Sequence, residues 1–300
     1  MRKERLKMKK RGTIEQIFLI LFFSVLCAVI LIPFLLLVGV SLSNEQDVVN
    51  FGYKIIPKRI DLAAYKFVFK NPQQILNAYK VTAIFSIVGT VLSVLFMAMC
   101  AFPLSQKNVK GRNKVSFYLY FTMLFSGGLV PSYILITQYL HLGDTIWVYI
   151  IPSLINPWSV FVMRTFFAGL PTELFESMQI DGASVYNIFF KTVLPLSKPV
   201  LASIALICFL GKWNDWYTAM LYINDEKLIS LQYLLQRIMN NLKLVQEMTS
   251  SASAISDGAK VPSETVRMAM AIVVAGPALV IFPFFQKYFV KGLTVGAVKG

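Results

Sequence analysis

Apolar residues in this chain collect in six runs, each about long enough to cross a hydrocarbon layer roughly 30 Å thick as a helix. They cover residues 17–40, 79–104, 115–137, 145–167, 199–222 and 266–289. In a chain of 300 residues, 56% hydrophobic and only 15% charged content lies far outside the soluble norm, so the runs are read as membrane helices. The expected fold is an all-α membrane protein with six transmembrane helices.

The charge pattern orients them. Arg2, Lys3, Arg5, Lys7, Lys9, Lys10 and Arg11 make residues 1–16 a basic N-terminal segment, and the turn holding Lys107, Lys110, Arg112 and Lys114 carries no acidic residue. Short, purely basic segments stay on the cytoplasmic side. Six crossings then place both termini in the cytoplasm. A signal peptide is the alternative for the first run, and it is set aside because the apolar stretch is long and no small-x-small site precedes the polar residues 41–47. Residues 17–42 are therefore expected to form the first transmembrane helix. The net charge of +14 belongs to these membrane flanks and gives no nucleic-acid surface.

Three polar segments remain: 43–78, 168–198 and 223–265. The first and last are expected outside the cell and the middle one inside, so the body of the membrane domain covers 79–290 and a cytoplasmic tail covers 291–300. In the last polar segment, Leu228, Leu231, Leu234, Leu235 and Ile238 fall at helical spacing and predict an amphipathic helix. Cys27, Cys100 and Cys208 lie inside predicted helices at unrelated spacings, which implies buried free thiols and no metal site. The single histidine, His141, is read as a solvated turn residue.

The segment 168–198 carries the most local information. Thr172 is a candidate N-cap, with Glu173 and Glu176 in the first turn, where carboxylates suit the dipole. Leu174, Phe175 and Met178 follow as an apolar stripe; Asp181-Gly182 breaks the helix, and Ser184 caps a second one that Pro195 ends. Two short helices meeting at a glycine corner predict a protruding knob with exposed apolar residues, suited to docking a protein.

The motif Glu176-Ser177-Met178-Gln179-Ile180-Asp181-Gly182-Ala183, with Ile188-Phe189, Val193-Leu194-Pro195 and Pro199, resembles the EAA loop of binding-protein-dependent ABC importer permeases. Ser177 is a common variant and Met178 replaces the second alanine of the usual form. The motifs Phe125-Ser126-Gly127-Gly128-Leu129-Val130-Pro131 and Trp213-Asn214-Asp215-Trp216, and the ending Gly292-Leu293-Thr294-Val295-Gly296-Ala297-Val298-Lys299-Gly300, are similar to the oligosaccharide branch of that family.

The resemblance implies a type I importer domain whose pore is built from this chain and a second homologous permease subunit. It also implies two ABC ATPase subunits, an extracytoplasmic solute-binding protein and a carbohydrate substrate. ATP and Mg would sit on the partner ATPase, and this chain would bind no cofactor; it lacks the GxxxxGK[ST] phosphate loop. Glu176, Ser177, Met178, Asp181, Gly182, Ala183 and Pro195 are then the ATPase-coupling residues, and Gly296, Lys299 and Gly300 belong to a tail that reaches the ATPase. The residue-level alternative is that Glu176 only favours its helix terminus.

Trp213, Asn214, Asp215 and Tyr217 offer aromatic faces and hydrogen-bonding groups suited to a sugar pathway, although an aromatic belt at the interface predicts the same residues. Lys212 and Asp215, three apart, can pair, line a polar cavity or let the lysine snorkel. This intramembrane pair is the only support for an ion-coupled secondary transporter. Gly127, Gly128 and Pro131 predict a helix break that faces the pore or packs on a neighbour.

Overall fold

The computed structural model of the chain describes residues 2–252, 264–277, 279 and 283. In chain order these form α1 (Arg2–Ser41), α2 (Glu45–Phe51), α3 (Ala63–Val68), α4 (Pro72–Ser105), α5 (Arg112–Leu124) and α6 (Leu129–Ile134), which runs on as a π turn. Then come α7 (Pro157–Ala168), α8 (Thr172–Ile180), α9 (Val185–Ile188), α10 (Leu194–Leu196), α11 (Lys198–Trp213), α12 (Tyr217–Tyr222), α13 (Leu231–Ala252) and α14 (264–277). Among the described residues a single bridge, Ser43 with Ile60, is the only strand-like pairing.

Two helical stretches, Glu15–Ser41 and Pro72–Ser105, are long and apolar enough to cross a bilayer unaided. The other runs are bent, the first of them at the helix break expected of Gly127 and Gly128. Arg112–Leu124 and Leu129–Tyr139 meet at 114°, because Gly128 takes φ +89° and Gly127 leaves the backbone free to turn. Ile146–Ser153 and Pro157–Ala168 meet at 51°: the ring of Pro157 drives Asn156 out of the α region, and the Asn156 side chain then accepts from the Ser159 amide at 3.0 Å. Val185–Leu196 and Lys198–Trp213 meet at 79°. Counting each bent pair as one span gives up to five among the described residues. The last run enters the described residues only through α14, and the tail with Gly296, Lys299 and Gly300 lies outside them.

The chain divides into two compact units. Residues 1–70 and 239–273 form the first. Here the backbone of residues 54–55 passes across α1 so closely that a Cβ on Gly39 would lie 2.1 Å from the Ile55 carbonyl oxygen. The Glu45 carboxylate accepts from the amides of Glu264 and Thr265 at 3.0 and 2.9 Å and from the Thr265 hydroxyl at 2.6 Å, capping α14 across more than two hundred residues of sequence. Tyr53 donates to Glu264 at 2.7 Å, and this bond holds its phenol above the usual range. Cys27, expected buried, is exposed on α1, whose apolar side chains face outward as a lipid-facing helix requires.

Residues 71–238 and 274–300 form the second unit. Its core is α4 sandwiched by α7 and α11, where Met97, Ala101, Val160, Met163, Phe167 and Ile204 are all nearly inaccessible. One face of α4 is small and polar, with Thr82, Ser86, Thr90 and Ser93 buried. Gly89 lets α11 approach: a Cβ there would sit 3.0 Å from the stem of Lys212.

Candidate functional site

The knob predicted between residues 171 and 196 is present, and its corner is built by local backbone bonds. Helix α8 ends at Asp181, and Gly182 takes φ +75°, a conformation that costs glycine little. The Gly182 amide then donates to Gln179 at 3.0 Å and the Ala183 amide to Met178 at 2.9 Å. These are the two bonds of a Schellman stop, and Met178 and Ala183, which flank it, both pack against the core. The spacing from Glu176 through Gly182 to Ala183 thus has a mechanical meaning. Ser184 opens the second limb, its hydroxyl accepting from the Asn187 amide at 3.3 Å.

Four details differ from the sequence reading. Thr172 is the first helical residue and Pro171 the cap, with no side-chain cap bond, because the proline already occupies the extended position before α8. Glu173 stands in the first turn, whereas Glu176 lies beyond it. Pro195 falls inside α10, and the chain bends only after it, at Ser197. The second limb is not one α-helix: α9 passes into a π turn, Phe189–Val193, whose ends are buried.

The apolar stripe also faces the other way. Phe175 is buried, packed against Phe102 at 6.3 Å, and Met178 rests on the same core while its sulfur accepts from Thr192 at 2.9 Å. The outward apolar surface is Ile180, Val185 and Tyr186, which are 86%, 63% and 73% exposed. Their positions flank the corner, a pattern visible only once the turn geometry is known. Glu176 is exposed on α8 and forms no ion pair among the described residues.

Beside α8 lies a cleft of about 310 Å³ lined by Lys107, Arg112, Arg164, Thr172, Glu176 and Gln179, among others. Arg164 donates to Ser116 at 2.9 Å, Ser116 donates to the Arg112 carbonyl at 2.7 Å, and the Arg112 guanidinium reaches the Gln106 carbonyl at 3.4 Å.

At the far end of α11 the four pathway residues separate. Trp213 is buried, stacked on Phe209 at 5.7 Å and donating from Nε1 to the Val274 carbonyl at 3.2 Å. Asn214 is exposed, bonded to the Leu210 carbonyl and to Gln232, each at 2.9 Å. The Asp215 carboxylate accepts from the Thr218 amide at 2.9 Å, and Tyr217 stands exposed edge-to-face with Trp216. The Lys212–Asp215 pair that the spacing allows is not formed: Lys212 donates to Ser153 instead. Asn214, Trp216 and Tyr217 therefore share the open side of the segment.

A clasp not foreseen from the sequence joins the turn after α6 to the end of α12. Asp144, at φ +52°, accepts from the Asp225 amide at 2.9 Å and from the amide and side chain of Asn224. These bonds, that from Asp225 first, hold its carboxyl below the usual carboxylate range. Among the described residues no group of acidic, histidine or cysteine side chains is placed to hold a metal ion.

Comparison with known proteins shows the family. Residues 8–295 match the family described as binding-protein-dependent transport system inner membrane component. Protein LplC of Bacillus subtilis is 37% identical over 97% of both chains. The polygalacturonan/rhamnogalacturonan transport system permease protein YtcP of the same organism is 35% identical over 94% of this chain and 96% of its own. A crystal structure of a bacterial ABC transporter involved in the import of the acidic polysaccharide alginate superposes with a TM-score of 0.78, at 28% identity, over 92% of this chain and 96% of that one. The chain is therefore a transport permease and not an enzyme, and it belongs to the binding-protein-dependent transport system inner membrane component family of ABC importers.

Proposed function

We propose that this permease lines half of a translocation pathway for an oligosaccharide and is driven by a separate ATPase that grips the knob at residues 171–196. The observation that carries the reading is the corner itself: a rigid Schellman stop presents Ile180, Val185 and Tyr186 outward while Phe175 and Met178 anchor α8 to the core. Force applied to such a knob passes directly into α4, α7 and α11. Glu176, exposed and without an ion partner among the described residues, is the group we assign to a basic residue of the ATPase. Ser177, Asp181, Gly182, Ala183 and Pro195 shape the same element, and the tail with Gly296, Lys299 and Gly300 is assigned to the ATPase side.

The same proposal gives the chain six spans, both termini in the cytoplasm, a second homologous permease and an extracytoplasmic binding protein that delivers the sugar. The exposed break at residues 125–128 supports a second subunit or a wet pathway, because irregular backbone is not tolerated against lipid. The substrate class rests on relatives that carry polygalacturonan/rhamnogalacturonan and alginate, so uronate-containing oligosaccharides are the first to test. Asn214 and Tyr217 are the residues on α11 and α12 best placed to meet it; buried Trp213 and helix-bonded Asp215 support them. An ion-coupled carrier is not favoured, since Lys212 and Asp215 are each engaged elsewhere.

The test is a charge reversal, Glu176→Lys, in the intact importer. We expect normal membrane insertion, loss of the ATPase on purification and uptake that falls at least tenfold. Uptake equal to wild type, or uptake that collapses with the ion gradient and ignores ATP depletion, would defeat the proposal.

A further inference from the structure

The cleft beside α8 holds more positive charge than the coupling role uses. Lys107 from the turn after α4, Arg112 at the start of α5 and Arg164 near the end of α7 converge on it, against the single carboxylate of Glu176. The bonds that fix the two guanidinium groups go to a hydroxyl and a backbone carbonyl, and neither group forms an ion pair among the described residues. Arg112 and Arg164 are partly buried, so their orientation is set by the fold through the Ser116 relay. Thr172, Gln179 and Gln106 add hydrogen-bonding groups to the lining. The site has the chemistry of an anion receptor, with oriented forks suited to phosphate oxygens.

Its surroundings identify the source of the anion. Helix α5, which supplies Arg112, presents Val115 and Tyr118, 47% and 66% exposed, on the flank that rises from Arg112 at i+3 and i+6. An anion held at Arg112 therefore sits at the foot of an apolar wall. A protein carboxylate has no use for such a wall, whereas a phospholipid fills both parts at once, its head in the cleft and its chains along α5. Basic pockets between membrane helices on the cytoplasmic side favour anionic headgroups in this way.

We propose that this cleft is a binding site for an anionic glycerophospholipid, with Arg112 and Arg164 holding the phosphate and Lys107 at the rim. The inference places the cleft at the cytoplasmic face, as the topology proposed above does. A bound lipid would brace α5 and α7 against α8, so the lipid composition of the membrane would set how firmly the knob is held.

The experiment is lipid retention by the purified importer, read by native mass spectrometry after exchange into mixed phosphatidylglycerol and phosphatidylcholine. Wild type is expected to retain phosphatidylglycerol in preference to phosphatidylcholine. The substitutions Arg112→Gln and Arg164→Gln should each weaken that retention about fivefold, and together about 25-fold, from the loss of one surface charge apiece. Arg112→Lys with Arg164→Lys, which keeps the charge and guards against a folding defect, should restore most of it. Equal retention of both lipids by wild type, or unchanged retention in the double glutamine variant, overturns the proposal. So does a double variant that keeps its lipid and sheds its ATPase, which would assign the cleft to a protein carboxylate. The readout needs neither uptake nor coupling, so a failure of the Glu176 reading leaves it intact.

Discussion

Substitution of Gly182 isolates what the corner contributes. Its φ of +75° lies in the left-handed region, and a Cβ placed there meets nothing within 4 Å. The cost of Gly182→Ala is therefore conformational and not steric, about 1–2 kcal/mol for an L-residue forced into that region. That energy shifts the balance between the native corner and its alternatives by roughly 5- to 30-fold, since each 1.4 kcal/mol is tenfold. Both Schellman bonds, to Gln179 and Met178, depend on the same turn, so the alternatives release the end of α8. ATP-dependent uptake in proteoliposomes should fall by up to that factor in Gly182→Ala and further in Gly182→Val. Gly182→Asn should stay close to wild type, because asparagine tolerates positive φ. If alanine and asparagine perform alike, or asparagine is the worse, backbone conformation is not what Gly182 provides and the argument fails.

Two further perturbations test the rest of the fold. Gly39→Ala places a Cβ 2.1 Å from the Ile55 carbonyl oxygen, so backbone must move; the purified importer should lose several degrees of thermal stability, and an unchanged melting curve would deny the close approach. The Asp144 carboxyl is held low by the amides of Asp225 and Asn224, so the clasp stabilises the folded state above the ordinary aspartate range near pH 3.8 and loses that contribution as pH falls through the lowered value. Acidification below about pH 4 should increase hydrogen exchange at Asn224 and Asp225 relative to neighbouring amides, and Asp144→Asn should show the faster exchange already at neutral pH.

The corner at Gly182 was legible because the residues that make it are near neighbours in the chain. Gly182 after Asp181 and Ser184 as a cap act on adjacent backbone, so spacing alone predicted a helix, a turn and the start of a second limb. What spacing left open was the direction of the faces. Leu174, Phe175 and Met178 form a stripe in any helix, but only the packed position of Phe102 on α4 shows that Phe175 points inward and leaves Ile180, Val185 and Tyr186 to the outside.

Apolar length and basic flanks, properties of the chain itself, determined that this is a membrane protein built from apolar helical runs. The tertiary structure decided which runs stay straight and who partners whom. Lys212 chose Ser153, fifty-nine residues away, over Asp215, three away, because Gly89 opens a groove for the lysine stem toward that hydroxyl. Arg112 and Arg164 read in the sequence as a topology signal and an unremarked residue, yet the meeting of α4, α5 and α7 sets both in one cleft. Periodicity and capping act over a few residues and leave a trace in local spacing; long-range contacts depend on how helices cross, and no local pattern records that.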